Sequence, residues 1–559
     1  MKNVTNNLYA FDFETTPVPF FDRKGKKKLT CRGHPRFAEV LFPTVSDSID
    51  SWAHEAGSNS LPPLDEIVFH NVSFDGLVGI QNKFWTLGDL WKKKPNCTAL
   101  MAKVLRNDRP AALKELAKII LREDSATLYT NVDKSNRVEF IEYAKKDALY
   151  TAKLFKIFED ELNASFQWDL YRKVELPFSF VNLECELNGI TVDLEKLSSI
   201  VSQNKRTIAI LESEISPIKI NFNSPKQVQK FLFGELNLPL AYLKGKVSSS
   251  KKALKSLVHP KVKEILKRNS IVSLLRELES IARFTDVDTG LIHPHINTLG
   301  ADTGRCTSSN PNLQNISKDS AARELFLPRK AHKLIVLDFG QIEPRVLAHF
   351  LPAGPFRSMF DSSEDFYESL AANVFSNNAT DVPGRAIAKQ AILGVMYGLE
   401  AKTMAENLGC TSVEASDFLK KFDAYFPEVP VFKNAYLNQI RSQGYSEGLF
   451  NRRRYVENLE SEDKFQRAAA EREAFNALIQ GSAATIFKYK LVKLREHLPS
   501  SVRFLLHVHD EVILEAPEKM AEEILKVSKQ LLEEPLEWFS VPLKVSGGVG
   551  SNWAQAKGV

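Results

Sequence analysis

A four-residue periodicity is the feature of this sequence that most constrains its fold. Within residues 385–398, Arg385, Lys389, Leu393 and Tyr397 occupy every fourth position. On an α-helix this spacing displaces neighbours by only about 40°, so the four side chains share one face over about 18 Å. Two cations, an apolar surface and a phenol in that order suit a polyphosphate that carries a flat base. Taken alone, the stretch is better explained as an amphipathic surface helix with solvated cations. A nucleotide site requires further residues from elsewhere in the chain.

The composition sets the class of protein. With 559 residues the chain exceeds what one core supports, so two to four domains are expected. Its 43% apolar and 26% charged residues are typical of a globular protein. Five scattered cysteines without a CxxC pair argue against a disulfide framework or a zinc site and favour a reducing compartment. No apolar run approaches a membrane span and residues 1–7 resemble no signal region, so a soluble, cytoplasmic protein without a membrane partner is expected.

Basic residues are clustered, although the net charge is only +5. The clusters cover residues 24–28, 92–94, 244–255 and 452–454. Most such runs are solvated faces, but four of them in one chain favour a polyanionic partner.

The first block, residues 1–165, has the alternating strands and helices of an α/β domain. Asp12 and Glu14 stand two apart on a strand predicted over 8–14, so both side chains emerge on one face. Asp75 is predicted to end a second strand that begins at 67. Tyr143 and Asp147 share one face of a helix predicted over 137–154.

These four carboxylates predict a metal site. Each acid alone is best explained as an ordinary surface residue, but four that converge repel one another unless cations lie between them. Two divalent ions held in this way activate a water for phosphodiester hydrolysis, and Tyr143 is placed to orient that water.

Beyond residue 165 the sequence becomes helical and basic, and residues 174–193 are predicted to form a hinge into a second body. The small, polar and cationic run 244–252 is typical of a loop laid on a phosphate backbone. Residues 303–315 form a loop dense in Arg, Gln and Asn, which reach groove acceptors and phosphates.

A second pair of acids comes from distant parts of the chain. A strand predicted over 334–338 ends on Asp338, which is costly to bury without a cation, and Pro344 suits the first turn of the helix that follows. Residues 503–515 predict a β-hairpin with Asp510 and Glu511 at its tip, where one acid binds metal and the other lies outside. Asp338 and Asp510 beside the cationic helix predict in-line nucleotidyl transfer with two metal ions.

Taken together, the motifs at 338–345, 385–398 and 507–511 resemble those of the family A DNA polymerases, the group of bacterial DNA polymerase I. Residues 303–305, 312–315, 471–481 and 550–553 match further signatures of that family. The first block resembles the DEDD-type 3′→5′ exonuclease domain of the Tyr subclass. The resemblance covers essentially the whole chain, and a chance match of all motifs in order is negligible.

The resemblance implies a multidomain α+β and α/β fold. An RNase H-like exonuclease domain (1–165) would precede a right-hand polymerase domain (166–559). Within the latter, the palm would comprise 166–195, 285–350 and 486–559, the thumb 196–284 and the fingers 351–485.

It also implies residue roles, with two Mg²⁺ ions per active site and Mn²⁺ as a substitute. The metal-binding set would be Asp338, the carbonyl of Phe339, Asp510, Asp12, Glu14, Asp75 and Asp147, with Glu511 as a secondary catalytic acid. Nucleotide would contact Arg385, Lys389, Leu393, Tyr397, Glu343, Gln341 and Tyr367; Lys389 would also protonate the leaving pyrophosphate, and Glu343 would hydrogen-bond Tyr397 and crowd the sugar 2′ position. Primer–template DNA would contact Arg305, Gln314, Asn315, Arg472, Asn476, Gln480 and His509. The partners are then DNA and dNTPs, with a monomeric protein.

Several positions depart from the family pattern. Leu393 stands where Phe or Tyr is usual, which predicts altered nucleotide handling and poor use of dideoxy analogues. Tyr367 stands where a phosphate-contacting His is common, and His507 replaces a common Gln. Leu393, the compact thumb and the absence of a preceding 5′-nuclease domain favour a phage replicative polymerase in the host cytoplasm over a cellular repair enzyme.

Three other functions remain open. A single-subunit RNA polymerase shares the palm, Lys389 and Tyr397, but Glu343 stands where those enzymes carry a small residue. A non-catalytic binding module predicts tight DNA binding without extension. A stand-alone exonuclease requires everything after the first block to be inert.

Overall fold

The computed structural model of the protein describes residues 8–17, 20–21, 27–28, 38–47, 51–53, 62–123, 131–133, 135–216, 220–243, 245–255, 257–317, 320–361, 364–375 and 383–558. Among these residues every helix is too short or too polar to cross a bilayer.

The first block folds around a five-stranded mixed sheet in the order β5-β4-β1-β6-β7. Strand β1 runs antiparallel to β4 and parallel to β6. Its aromatic residues Phe11 and Phe13 are buried on one face, while Asp12 and Glu14 share the other, as strand alternation requires. The strands of this block are β1 (Tyr9–Pro17), β2 (Phe20–Phe21), β3 (Lys27–Lys28), β4 (Ala38–Ser46), β5 (Ser51–Ala53), β6 (Ile67–Phe69) and β7 (Asn96–Cys97).

Helix α5 packs against β1 and β4 and closes one face of this sheet. It begins at Arg137, as the sequence predicts, but continues to Ala164. The helices of the block are α1 (Val72–Gln81), α2 (Leu87–Lys93), α3 (Thr98–Leu105), α4 (Leu113–Ile120) and α5 (Arg137–Ala164).

The prediction that Asp75 ends a strand is wrong. Strand β6 stops at Phe69, and Asp75 lies in the first turn of α1. An acid is favoured there because the first N–H groups of a helix have no partner within the helix.

The predicted hinge over 174–193 is also wrong, because the segment is helical as far as Asn188 and continues into strand β8 (Ile190–Val192). A short helix α6 (Trp168–Leu170) leads through a π-helical turn (Tyr171–Glu175) into α7 (Leu176–Asn188). The wider turn precedes Pro177, whose ring and missing N–H a regular helix interior would not accept.

Helix α7 forms a wall shared by two apolar cores. Phe180 and Leu183 belong to the core of the first block, which therefore extends past residue 165. Phe178, Val181 and Cys185 belong to the core of the second body. Every residue from Leu176 to Glu186 is buried, so neither face of the helix meets solvent.

Next, two long helices, α8 (Leu194–Ile215) and α11 (Pro260–Phe284), pack against each other. Between them lie α9 (Pro225–Gln229), a π-helical segment (Lys230–Glu235), β9 (Tyr242–Leu243), β10 (Lys246–Val247) and α10 (Lys251–Leu254). The predicted basic loop 244–252 is therefore partly a hairpin strand and the start of a helix, because Ser250 caps α10. Lys244 lies outside the described residues, as do Lys24 and Lys26 of the first basic cluster.

A four-stranded sheet in the order β18-β19-β15-β20 forms the centre of the second body. Its strands are antiparallel to their neighbours. A smaller sheet has the order β11-β8-β14, and β12 pairs with β13. The strands are β8 (Ile190–Val192), β11 (Leu291–Ile292), β12 (His295–Asn297), β13 (Thr307–Ser309), β14 (Phe326–Leu327), β15 (His332–Phe339), β16 (Tyr445–Glu447), β17 (Arg453–Tyr455), β18 (Arg503–Val508), β19 (Glu511–Pro517) and β20 (Val545–Gly550).

A layer of helices shares one apolar core with this sheet, and the 34-residue helix α19 contributes to that core. The helices are α12 (Ile342–Phe350), α13 (Pro355–Ser358), α14 (Phe366–Val374), α15 (Gly384–Tyr397), α16 (Ala401–Leu408), α17 (Ser412–Tyr425), α18 (Glu428–Gln443), α19 (Lys464–His497), α20 (Ala521–Glu533) and α21 (Trp553–Lys557).

A buried charge cluster ties α19 to the π-helical turn ahead of α7. Glu175 is fully buried and pairs with the Nζ of Lys488 at 2.7 Å and with the guanidinium of Arg452. Lys488 also donates to the carbonyl of Thr298 at 2.8 Å, and Arg452 Nε donates to Thr485 at 2.8 Å. Both cations thus share the single carboxylate of Glu175, and each also donates a hydrogen bond to a neutral oxygen.

The three arginines of the basic cluster at 452–454 are paired with acids of the protein itself. Arg452 is buried against Glu175, Arg453 pairs with Glu447 at 2.6 Å, and Arg454 pairs with Glu473.

We predict that Glu175→Gln lowers the free energy of unfolding by about 3–5 kcal/mol, because two buried cations lose their counter-ion. The measurement is denaturant unfolding followed by circular dichroism. Asp169→Asn is the matched control: it breaks an exposed pair with Lys173 at 2.8 Å and should change stability by less than about 1 kcal/mol. Equal effects of the two substitutions would contradict the structural role of the cluster.

Two candidate active sites

The backbone pairing of three strands brings Asp338 and Asp510 together. Asp338 stands opposite Glu511 in the register of β15 and β19. His509 and Asp510 form the two-residue turn between β18 and β19, with His509 in the left-handed region at φ 54°. The N–H of Phe339 donates to the carbonyl of Asp510 at 3.1 Å, which fixes the turn beside the end of β15.

Glu511 is engaged by donors of the protein itself. It is buried, and its Oε1 accepts from Trp553 Nε1 at 2.6 Å and from Arg323 Nη1 at 3.2 Å. Its Oε2 lies 2.5 Å from the Nζ of Lys557, which also contacts Asp338 Oδ2 at 2.6 Å. Glu511 is thus buried beside Asp338 and shares Lys557 with it.

Glu343, in the first turn of α12, is held from two sides. Arg305 Nη2 lies 2.5 Å from its Oε1, and the hydroxyl of Tyr397 donates to its other oxygen. Burial, and next the charge of Glu343, raise the pKa of Tyr397 well above its usual value. The predicted contact between Glu343 and Tyr397 is thus present, and Arg305, 4.0 Å from Asp510, links it to the carboxylate pair.

The periodic face of α15 points into the cleft that holds these acids. Arg385, Lys389 and Leu393 line it together with Asp338 and Asp510, and its volume is about 820 Å³. The cleft is also lined by Arg305, Gln314, Asn315, Phe339, Gln341, Glu343, Tyr367, His509 and Glu511. The amphipathic interpretation of this helix is therefore incomplete, because its two cations line the same cleft as these acids.

Three neighbours surround the side chain of Arg385. Its guanidinium lies 3.1 Å from Glu368 and 3.5 Å from Asp365, and 5.5 Å from the ring of Tyr367. Asp365 also accepts from Gln341 Nε2 at 3.4 Å. Gln341 precedes α12 in the left-handed region at φ 50°, which turns its side chain toward this group.

Three of the residues predicted to contact DNA lie along one face of α19. Gln480 hydrogen-bonds Tyr397 and so reaches the Glu343 network. The amide oxygen of Asn476 is buried without a partner among the described residues. Arg472 packs against Gly398, where a Cβ would lie 2.4 Å from its side chain.

His507 is buried, and its Nε2 bonds to Asn182 Oδ1 at 2.8 Å. Burial lowers its pKa to about 3, so the ring is neutral and packs near Phe178 and Phe487. His507 therefore has a packing role in the β18–β19 hairpin.

A second carboxylate centre forms on β1 and α5. Ligand oxygens of Asp12, Glu14 and Asp147 all lie within 4.8 Å of one another. Asp75 stands beside them in α1 and raises the pKa of Asp12 through its charge. Its Oδ1 is buried without a hydrogen-bond partner among the described residues.

Because these carboxyl groups are buried close together, ionising all of them costs free energy unless a cation is bound. Desolvation, and next the charges of Asp75, Glu14 and Asp147, raise the pKa of Asp12 well above its usual value. Desolvation raises the pKa of Asp75 to about 8. An orphaned buried oxygen within a cluster of oxygen donors fits a divalent ion.

Tyr143 and a lysine that the sequence reasoning missed complete this centre. The hydroxyl of Tyr143 bonds to Asp147, and burial and Asp147 raise its pKa. Lys114, from α4, contacts Asp147 and lies 4.0 Å from the ring centroid of Tyr143. No sequence motif marked Lys114 or Lys557; only Lys557 left a signal, because it stands four residues after Trp553.

The comparison with known proteins places these sites in a family context. Residues 193–555 match the family model for DNA polymerase family A. The chain is 36% identical over 437 residues to the thermostable DNA polymerase I of Thermus filiformis, covering 75% of this chain and 52% of that protein. It is 34% identical over 489 residues to that of Thermus aquaticus, covering 81% and 58%. The chain thus spans about half the length of the curated relatives it matches.

The fold is similar to that of a solved structure, the POL domain of Pol1 from M. smegmatis in complex with DNA primer-template and dNTP. The TM-score is 0.83 at 26% identity, with 98% of this chain and 96% of that chain covered. The predicted mixed α/β, right-hand polymerase fold is confirmed by this likeness.

We predict that stability falls as pH rises when divalent ions are absent. Asp75 keeps its proton up to about pH 8 in the folded protein, whereas its usual pKa is 3.8. Its contribution is therefore complete below pH 3.8 and is lost as pH rises through about 8, at about 1.4 kcal/mol per pH unit. Thermal unfolding in a chelator between pH 5 and 8 measures this.

The control is Asp75→Asn, which should make that pH dependence shallower because it cannot ionise. Added Mg²⁺ should do the same in the unsubstituted protein, because the cation compensates the carboxylates. An unfolding temperature with equal pH dependence in all three cases would contradict the prediction.

Proposed function

The chain belongs to DNA polymerase family A, and from this premise we propose that it is a template-directed DNA-dependent DNA polymerase with 3′→5′ proofreading. One observation supports the proposal above all others. Asp338 and Asp510, 172 positions apart in sequence, meet in a cleft that Arg385 and Lys389 also line. A pair of carboxylates for metal ions and cations for a triphosphate in one cleft is the combination that nucleotidyl transfer requires.

The carboxylates fit two Mg²⁺ ions, with Mn²⁺ as a substitute. Asp338, Asp510 and the carbonyl of Phe339 would hold them, because all three residues line the same cleft and carboxylate and carbonyl oxygens are suitable ligands for divalent ions. Bound metal would stabilise the charge that develops on the attacking and leaving oxygens.

The remaining steps belong to side chains of this protein. Arg385 and Lys389 would bind the triphosphate, and Lys389 would donate a proton to the leaving pyrophosphate. Glu343 is fixed by Arg305 and Tyr397. Because these two contacts hold its carboxylate in place, it would crowd the position of a 2′-hydroxyl and so exclude a ribonucleotide. Gln341 and Tyr367 would complete the nucleotide pocket.

Primer–template DNA would lie along the cleft and α19. Arg305, Gln314, Asn315 and His509 line the cleft, and Arg472, Asn476 and Gln480 share a face of α19. Minor-groove acceptors are common to all base pairs, so these donors would test base-pair geometry rather than sequence. The likeness to a polymerase solved with primer-template and dNTP supports this assignment.

The first block would carry the proofreading activity. Asp12, Glu14 and Asp147 form the cluster, Asp75 stands beside it, and Tyr143 lies where it could orient a water. The sheet order β5-β4-β1-β6-β7 supports the RNase H-like domain over residues 1–165. The palm, thumb and fingers assigned to 166–559 stay predictions, as do a monomeric state, a cytoplasmic location and a role in phage replication.

Three rivals differ in what they predict for a primed template. An RNA polymerase would extend with rNTPs alone, whereas the proposed enzyme needs dNTPs. A binding module would retain the primer–template without Mg²⁺-dependent extension. A stand-alone exonuclease would only degrade the primer.

We predict that Asp338→Ala or Asp510→Ala lowers extension at least about 1000-fold, because each removes a carboxylate from the metal pair, and spares degradation of the primer. Asp12→Ala with Glu14→Ala should do the reverse. A labelled primer–template with dNTPs, and then without them, measures both activities. The exposed Asp417→Ala is the matched control. Loss of both activities from a substitution at one site would overturn the assignment of two independent sites.

We further predict that Leu393→Tyr increases the use of dideoxynucleotides relative to dNTPs by about tenfold or more, because an aromatic ring restores stacking at the nucleotide pocket. Competitive primer extension measures the ratio. Val413→Tyr, at a position 80% exposed and outside the cleft, controls for the added phenol. An unchanged ratio in Leu393→Tyr would rule out a specificity role for this position.

A further inference from the structure

Lys557 occupies a position for which the reaction as proposed has no role. It is the last residue of α21, its side chain is only 12% exposed, and its Nζ bridges Asp338 Oδ2 and Glu511 Oε2 at 2.6 and 2.5 Å. The ammonium thus lies directly on a carboxylate that is assigned to the metal pair.

This placement is built into the fold. Trp553 and Lys557 stand four apart on α21 and share a face, and Asn552 caps the helix by accepting from the N–H of Gln555 at 2.8 Å. Trp553 is fully buried and donates to Glu511, while α21 packs against β20 and β15. The lysine is therefore delivered by a fixed helix and not by a mobile surface chain.

Glu511 is the anchor of the arrangement. Arg323 and Trp553 engage its Oε1, and the guanidinium of Arg323 lies 4.2 Å from the ring centroid of Trp553. Because both oxygens of Glu511 are occupied by donors of the protein, its carboxylate serves to position Lys557 and is poorly placed to bind a metal.

We propose that Lys557 is a positioning residue of the polymerase centre whose ammonium holds Asp338 and weakens the binding of divalent ions there. The inference rests on the proposed function of that centre. A divalent ion at Asp338 meets a carboxylate whose charge is already shared with Lys557, and it is repelled by the ammonium. The centre then takes up its ions mainly together with the triphosphate, whose oxygens supply further ligands.

A purely structural pairing makes a different prediction. If Lys557 served only to neutralise Asp338 and Glu511 in the folded chain, its loss would lower stability and leave metal affinity unchanged or reduced. Metal affinity therefore separates the two roles, and activity alone does not.

The test measures Mn²⁺ binding without nucleotide, by electron paramagnetic resonance of free Mn²⁺. The protein carries Asp12→Ala and Glu14→Ala, which remove the other carboxylate centre. In that background Lys557→Met should bind Mn²⁺ at least about tenfold more tightly, or about 1.4 kcal/mol. Lys557→Arg should bind as the parent does, because it keeps the charge. Lys526→Met, which removes an exposed lysine on α20, is the matched control and should change nothing.

Lys557→Gln offers a second neutral variant that keeps a hydrogen-bond donor, and it should bind Mn²⁺ more tightly even if the Met variant is poorly folded. Asp338→Asn in the same background should abolish the binding. Unchanged or weaker binding in both neutral variants, or binding that survives Asp338→Asn, overturns the inference. Mg²⁺-dependent primer extension by the unsubstituted protein reports separately on the proposed function.

Discussion

The pairing of β15 with β19 is the constraint on which the rest of the second body depends. Side chains on a strand alternate between faces, so a slip of one residue would turn Asp338 away from the cleft. The register is fixed on both sides, by β19 and by β20, and the bond from the Phe339 N–H to the Asp510 carbonyl locks the turn to the strand end. Backbone hydrogen bonds therefore fix the relative positions of these distant segments, and the positions of the Asp338 and Asp510 side chains follow from them.

Charge compensation is the second organising principle. Buried acids recur at both candidate sites, and at each of them a lysine from a separate helix contacts one acid: Lys557 at Asp338 and Lys114 at Asp147. The cluster around Glu175 follows the same rule, with Lys488 and Arg452 as its cations. Buried carboxylates in this protein are therefore either paired internally or arranged where a cation can reach them.

The motifs predicted much of both sites because their spacing is local. Asp12 with Glu14, and Arg385 with Lys389 and Leu393, share faces by helix or strand periodicity alone, and the structure places them so. Asp75 and the segment around Pro177 were misassigned because a three-residue strand and a π-helical turn leave no periodic signature. Lys114 and Lys557 were missed because their acid partners are distant in sequence, and only the four-residue spacing from Trp553 to Lys557 distinguishes either of them from a surface lysine.

Helix α7 has a consequence for how this protein can be divided. One of its faces completes the core of the first block through Phe180 and Leu183, and the other supports the hairpin through Phe178, which lies 5.4 Å from His507. A fragment cut at residue 165 would lose that wall and leave an apolar surface open to water and to other chains. Because both cores use α7, the protein cannot be divided at residue 165 without disturbing one of them. A chimera that exchanges the first block between relatives would have to include α7 and the surfaces that pack on both of its faces.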